Sequence, residues 1–203
     1  MTILLVRHGE TEWNLEGRYQ GRFDSPLTRR GIAQARAVGR LIGELAGAQP
    51  VPIVASPLGR ARRTAEIIAA CSGNPRSVTF DERLREISLG SWDGLTRGEI
   101  ARRSPGIFAG SGQREWYFRS PDGETYESFA ARLGDWLDDR NSAELVVAVA
   151  HGVASRVLRG LYAGLAREIA LALPVPQDRM LRLSAGVIDE IVAVTTPANL
   201  RSR

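Results

Sequence analysis

Apolar residues in this chain form two kinds of run. Residues 2–6, the stretch VPIVA at 51–55 and LVVAVA at 145–150 are short unbroken blocks of strand length, the pattern of strands buried on both faces. Between them apolar positions return every three or four residues. Thr28 is placed to cap a helix striped by Ala33, Ala37, Leu41, Ile42 and Leu45. Ser56 and Pro57 read as the N-cap and first position of a second helix burying Leu58, Ala61, Ala65 and Ile68. A third opens after Thr125 with Tyr126, Phe129, Leu133, Trp136 and Leu137, and a fourth carries Val153, Val157, Leu158 and Leu161. The segment RMLRLSAGVIDEIVAV reads as two antiparallel strands turning near Ala185 and Gly186.

Strands alternating with helices predict an α/β fold: a three-layer sandwich with a mostly parallel central sheet and helices on both faces. Its length of 203 residues suits a single domain, 1–203. Residues 104–123, rich in glycine with two prolines and little periodicity, read as an inserted loop or lid region. In open sheets of this kind ligands bind outside the carboxyl ends of the strands. Arg7 and His8 leave the first strand there, Ser56 to Arg60 the second, and His151 the strand at 145–150, so three segments converge on one rim.

Composition narrows the chemistry of that rim. All 27 basic residues are arginine. Without lysine, Schiff-base catalysis and a Walker-type phosphate lysine are excluded, and any anion must be held by guanidinium groups or backbone amides. The pI of 9.9 reflects arginine standing for lysine more than net charge, which is only +4. Arginines interleave with acidic residues, as in RLGDWLDDR, so nucleic acid is not the expected partner. Cys71, the single cysteine, ends an apolar helical stripe and reads as a small hydrophobe. With no signal-like N-terminus and no apolar run near the roughly 20 residues that span a bilayer, the expectation is a cytoplasmic protein without membrane contact.

The only two histidines, His8 and His151, each end an apolar strand and each precede a glycine. Together with Arg7 and Arg60 they make a positive site suited to a doubly charged oxyanion such as a phosphoryl group. Arg60 falls in the first turn of its helix, whose positive end then points at the same place; Arg63, one turn on, is the alternative clamp. A neutral imidazole is a competent nucleophile at phosphorus near physiological pH, which makes His8 a candidate for a phosphohistidine. The two histidines have neither HxH nor HExxH spacing, and arginines beside them repel a cation, so no metal is expected.

The motifs LVRHGETEWN, SPLGRARRTA, LREISLGSWDGLT, DGETYESF and VAHG, in this order along nearly the whole chain, resemble the histidine phosphatase superfamily, also called the phosphoglycerate mutase-like family. The resemblance implies that family's mainly parallel sheet and a metal-independent phosphohistidine mechanism of the histidine acid phosphatase type. Carried over by motif, His8 is the nucleophile and Arg7 the adjacent phosphate-binding arginine. Asn14, Gln20 and Gly21 are loop positions near the phosphate, and Arg60 is the second arginine clamp. His151, with the Gly152 amide, stabilises the transferring phosphoryl group. Glu86 in LREISLG is the proton donor; a carboxyl in a closed pocket also suits an alkoxide leaving group, whereas Asp81 and Glu82 lie in a turn-like FDER.

Within the family, mutases follow the acidic glutamate with a basic and aromatic stretch of the ERHYG kind, while this chain has EISLG and no lysine. The resemblance is closer to the phosphatase branch. The expected activity is hydrolysis of a small-molecule phosphomonoester with no cofactor. The alternatives are a phosphoglycerate mutase, which would use 2,3-bisphosphoglycerate, and a non-catalytic phospho-ligand module. Trp116, Tyr117 and Phe118 are candidates to cover the pocket, Trp92 and Tyr126 being nearer to helical core positions. Oligomeric state is left open, with a homodimer allowed.

Overall fold

The computed structural model describes residues 1–47, 49–73, 78–109, 114–140 and 145–193. The strands run β1 (Thr2–Arg7), β2 (Ile53–Ala55), β3 (Thr79–Phe80), β4 (Leu145–Ala150), β5 (Arg179–Ser184) and β6 (Val187–Val192). They form one sheet in the order β3-β2-β4-β1-β5-β6, the first four parallel and the last two antiparallel. The helices are α1 (Glu12–Leu15), α2 (Arg29–Ala46), α3 (Gly59–Cys71), α4 (Arg97–Arg103), α5 (Tyr126–Asp138), α6 (Gly152–Ala163) and α7 (Arg167–Ala172).

Alternation along the central strands makes the layers. Ile3 and Leu5 of β1 and Val146 and Ala148 of β4 face a core filled by Phe129, Leu133 and Trp136 of α5 and Val157 and Leu158 of α6. Leu4, Val6, Val147 and Val149 point the other way, onto Val38 and Ile42 of α2 and Ala61, Ala65 and Ile68 of α3. With both faces covered, neither strand has a polar side, which is why both read as unbroken apolar blocks. The three-layer α/β reading therefore holds. The hairpin also turns where the sequence placed it, with Ala185 (φ 49°) and Gly186 (φ 77°) both in the left-handed region that a two-residue hairpin turn uses.

Three expectations about element detail are corrected. The second strand is Ile53–Ala55, not 51–55, although the Pro52 carbonyl still accepts from Val147 N–H at 2.9 Å. In α2, Ala37 and Ile42 of the expected stripe are buried, but Ala33 and Leu45 are exposed, and the buried face is completed by Gly31, Gln34, Ala35, Val38 and Gly39. Glycine decides that rotation: a Cβ on Gly39 would lie 2.8 Å from the Ile68 carbonyl oxygen and 2.7 Å from the Cys71 Cβ, so α2 and α3 approach backbone to backbone. Finally, α3 starts two residues later than read, at Gly59, with Leu58 at its N-cap position.

The region 104–123 divides. Residues 110–113 lie outside the described residues. In the short 3-10 turn Glu115–Phe118, Trp116 is buried among Tyr19, Trp92, Phe108 and Tyr117, so it belongs to the core and not to a pocket cover. Phe118 packs on Tyr126 and Phe129, and Tyr117 alone of the three reaches the cleft described below.

Candidate active site

His8 follows the last residue of β1, and its N–H still donates to the Ala150 carbonyl at 3.0 Å, so the ladder to β4 fixes its backbone. The next residue must be small. A Cβ on Gly9 would sit 2.4 Å from the Gly31 carbonyl oxygen, and the Gly9 N–H is held by Thr64 Oγ1 at 3.0 Å. The His8 Nδ1 lies 2.8 Å from the Gly9 carbonyl oxygen. A carbonyl can only accept, so Nδ1 carries the proton and the lone pair is on Nε2. Burial, followed by the charges of Arg60 and Arg7, holds the His8 pKa well below its ordinary value, leaving the ring neutral at physiological pH.

A cleft of about 330 Å³ opens beside His8. His8, Arg7, Asn14, Gln20, Gly21, Arg60, Glu86 and Gly152 all line it, so eight of the nine positions singled out from the sequence meet there. His151, the ninth, is fully buried and packs against His8 with ring centroids 5.3 Å apart, without lining the cleft itself. Its pKa is likewise held well below the ordinary value by burial, then Arg60 and His8. His151 Nε2 is 2.7 Å from Ser56 Oγ, and its Nδ1 has no partner among the described residues. Arg7 Nε and Arg60 Nε are likewise buried without acceptors. Three unpaired nitrogens around one imidazole are what an oxyanion site offers before the anion arrives.

The two arginines are held differently. Arg7 donates through NH1 to the Val175 carbonyl at 2.7 Å, and burial lowers its pKa to about 10, which keeps it charged at neutral pH. Arg60, 2 % exposed, is gripped from the loop after α1: NH1 donates to Phe23 O (2.6 Å) and Asp24 Oδ1 (2.9 Å), NH2 to Gly21 O (2.8 Å). Asp24 also accepts from the Gly59 and Arg60 amides at 2.7 and 3.2 Å. This corrects the expectation that the start of α3 points at the anion, because a carboxylate of the protein already occupies it. The Ser56 hydroxyl, expected to cap that helix, lies 2.7 Å from His151 Nε2 and keeps only a longer bond from the Leu58 N–H at 3.3 Å. Arg63, the alternative clamp, is 63 % exposed and pairs with Glu66, away from the cleft.

The helix that does offer its N-terminus to the cleft is α6, and Glu86 sits on it. Glu86 Oε2 accepts from Val153 N–H and Oε1 from Ala154 N–H, both at 3.0 Å. The Gly152 N–H makes no hydrogen bond among the described residues, and a Cβ there would lie 3.6 to 3.8 Å from Glu86 Oε2 and the Arg7 guanidinium. Glu86 is the one acidic residue lining the cleft among the described residues. Asp81 instead binds Arg83, and Glu82 pairs with Arg85 at the surface.

Several positioning residues carried no signal in the sequence. Arg132 of α5 binds the carbonyls of Arg83 (2.6 Å), Arg85 (2.9 Å) and Glu86 (3.2 Å), holding the chain that presents Glu86, and is itself held by Glu124 at 2.7 Å. Gln177 donates to His8 O and Asn14 Oδ1, both at 3.1 Å, tying the His8 backbone to a side chain that lines the cleft. Gln20 donates to Thr11 Oγ1 at 2.8 Å, leaving its Oε1 unpaired among the described residues. Gly21 (φ 50°) passes so close to Asp93 that any Cβ would overlap its carboxylate. Asp93 in turn accepts from the amides of Leu89 and Arg22, tying the Gln20–Gly21 loop to the Glu86 segment. Among the described residues no cluster of three or more His, Cys, Asp or Glu side chains is arranged to hold a metal ion, and no helix is long and apolar enough to cross a membrane.

Comparison with known proteins covers this whole arrangement. Residues 3–185 match the family model of the histidine phosphatase superfamily, branch 1. A protein of Salmonella paratyphi C described as a probable phosphoglycerate mutase, GpmB, is 38 % identical over 191 residues, covering 90 % of this chain and 80 % of that protein. Among solved structures, YhfR of Bacillus stearothermophilus superposes with a TM-score of 0.78 at 32 % identity, over 94 % of this chain and 95 % of that one. A phosphoserine phosphatase of Entamoeba histolytica, solved with phosphoserine, gives 0.76 at 26 % identity, over 96 % and 97 % of the two chains.

Proposed function

The chain belongs to the histidine phosphatase superfamily, and from that premise we propose that it is a phosphomonoester hydrolase working through a phosphohistidine on His8, without metal or organic cofactor. The observation that carries this reading is the His8 Nδ1 to Gly9 carbonyl bond, which leaves the Nε2 lone pair beside a cleft walled by Arg7 and Arg60.

In the first step Nε2 attacks phosphorus in line with the ester oxygen, the N–P bond forming as the P–O bond breaks. Arg7, Arg60 and the Gly152 amide hold the three equatorial oxygens, where the charge is spread in a loose transition state. His151 serves the same oxygens when Ser56 donates to its Nε2 and so keeps the proton on Nδ1. Glu86 delivers a proton to the departing alkoxide. In the second step water attacks phosphorus, Glu86 takes its proton, and the electron pair of the N–P bond returns to Nε2. Inorganic phosphate and an alcohol are the products.

A second reading, mutase, rests on the relatives described as probable phosphoglycerate mutases. The hydrolase is favoured by the EISLG segment, whose Ile87 and Leu89 give the cleft an apolar wall where mutases carry basic and aromatic side chains. A phosphomonoester panel assayed for phosphate release, with and without 2,3-bisphosphoglycerate, separates the two. Release without the bisphosphate supports the hydrolase. Rapid interconversion of 2- and 3-phosphoglycerate that depends on it overturns the hydrolase in favour of the mutase.

A further inference from the structure

One buried cation takes no part in this mechanism and does not line the cleft. Arg159, midway along α6, is 3 % exposed and makes no ion pair among the described residues. The charges acting on it are Arg156, three residues back on the same helix, and Glu190 of β6, which is paired with Arg179. Burial lowers its pKa to about 10, so it is charged at neutral pH. A guanidinium buried without a carboxylate needs carbonyls in its place. Arg159 has two: its Nε donates to Ser155 O of its own helix at 3.1 Å, and its NH2 donates to Pro174 O.

Pro174 belongs to the segment LPVPQ, residues 173–177, which leads from α7 to β5. Its neighbours are held in the same way. Arg156 Nε donates to Leu173 O at 2.8 Å and Arg7 NH1 to Val175 O at 2.7 Å, so three consecutive carbonyls each receive one guanidinium. Arg114 NH1 adds a further bond just upstream, to Leu171 O at 2.9 Å. Residues 174–177 make no main-chain to main-chain hydrogen bond among the described residues, and Pro174 and Pro176 have no N–H to offer. Side chains therefore set where this strap lies. Val175 lines the cleft, and Gln177 ties the strap's end to His8 O and Asn14.

We propose that Arg159 is a positioning residue for phosphoryl transfer, acting through this strap on Arg7. The proposal rests on the phosphomonoesterase reading above and adds what aims its first arginine. Among the described residues Val175 O is the one hydrogen-bond partner of the Arg7 guanidinium. Glu86 acts on Arg7 through space, but its oxygens are taken by the Val153 and Ala154 amides. A guanidinium is a rigid plane, so anchoring NH1 fixes the direction of the rest of the group. The Arg7 Nε, buried without an acceptor among the described residues, then faces the start of α6, where a Cβ on Gly152 would lie 3.7 Å away. Arg159 closes the circuit, because the helix that presents the Gly152 amide is the one that holds the strap that aims Arg7.

A double-mutant cycle tests this, read by calorimetric binding of orthovanadate, a mimic of the transferring phosphoryl group, and by kcat/KM for p-nitrophenyl phosphate. Arg159→Met should weaken orthovanadate binding about tenfold and lower kcat/KM by a similar factor. Arg159→Lys, which keeps one donor for Pro174 O, should recover to within about threefold of the parent. In an Arg7→Met background the same Arg159→Met change should cost less than about twofold, because no guanidinium is left to misdirect. Pro174→Gly leaves every arginine in place and frees the strap at an exposed position; its expected loss is about threefold in both readouts, again only while Arg7 is present. Equal losses with and without Arg7 overturn the proposal, as does an Arg159→Met protein that binds orthovanadate like the parent. If Arg159→Met does not fold, the cycle between Pro174→Gly and Arg7→Met decides by the same criterion. A parent that neither hydrolyses a phosphomonoester nor binds orthovanadate overturns the activity itself, a different result.

Discussion

His151 Nε2 and Ser56 Oγ lie 2.7 Å apart, joining the rim residues of β4 and β2 in the buried floor of the cleft. Ser56 also accepts from the Leu58 N–H at 3.3 Å, so its own proton is directed to the imidazole and the His151 proton stays on Nδ1, the nitrogen without a partner among the described residues. Ser56→Ala frees both tautomers. Its expected effect is a loss of about tenfold in kcat, corresponding to roughly 1.4 kcal/mol, with KM and the thermal midpoint little changed. Steady-state kinetics with a calorimetric scan check it, and an unchanged kcat removes Ser56 from the account.

Glu86→Gln separates protonation from binding. A carboxamide keeps the side chain's size and one acceptor for the two amides at the start of α6, but cannot deliver a proton to an alkoxide. An alkyl phosphate should therefore lose about 10² to 10⁴ in kcat, whereas p-nitrophenyl phosphate, whose phenolate leaves unaided, should lose far less. Equal losses on both esters would mean that Glu86 acts on phosphate binding and not on the leaving group.

The two histidines give a pH signature. Both folded-state pKa values lie below the ordinary imidazole value of about 6.5. The unfolded chain consequently binds more protons than the folded one as pH falls below about 6.5, and stability drops with acidification from there to the folded pKa values. Urea midpoints at pH 7.5, 6.0 and 5.0 should fall in that order, and the double replacement His8→Gln, His151→Gln should flatten the part of the slope nearest 6.5. The same low values predict that kcat/KM does not fall as pH passes down through 6.5. A slope identical in the double variant would show that other groups set it.

Packing makes a separate prediction at Gly39. Replacement by valine forces a side chain into the α2–α3 contact, where a Cβ already meets Ile68 and Cys71 below 3 Å. Overpacking of this kind costs about 1–3 kcal/mol, here added to the strain of moving backbone, and urea unfolding at constant m-value measures it. A variant as stable as the parent would contradict the close helix approach.

These cases show what the sequence could and could not reveal. β1 and β4 were legible because strands buried on both faces are apolar at every position, and α5 because its burial follows Phe129, Leu133 and Trp136 at helical spacing. The hairpin was legible because Ala185-Gly186 falls between two strand-length runs. The α2 face was legible only in part, at Ala37 and Ile42, since Gly39 packs through the absence of a side chain, which no hydrophobic pattern records. His8 and His151 stood out as the only histidines, at matched strand ends. Asp24, Ser56, Arg132, Gln177 and Arg156 did not, because their roles come from partners 17 to 169 residues away or from a cleft assembled by the fold. A serine before a proline looks like a helix cap until a histidine from another strand arrives beside it.

The central claim is that His8 becomes phosphorylated on Nε2, and its most direct test is the trapped intermediate. The wild-type protein is mixed with a rapidly turned-over phosphomonoester, quenched in base within milliseconds, and examined by phosphorus NMR and peptide mapping. The account predicts an acid-labile phosphoryl group on His8 at Nε2, absent from His8→Ala under the same conditions. Phosphate found on Nδ1, phosphate on another residue, or turnover that persists in a folded His8→Ala protein would contradict it.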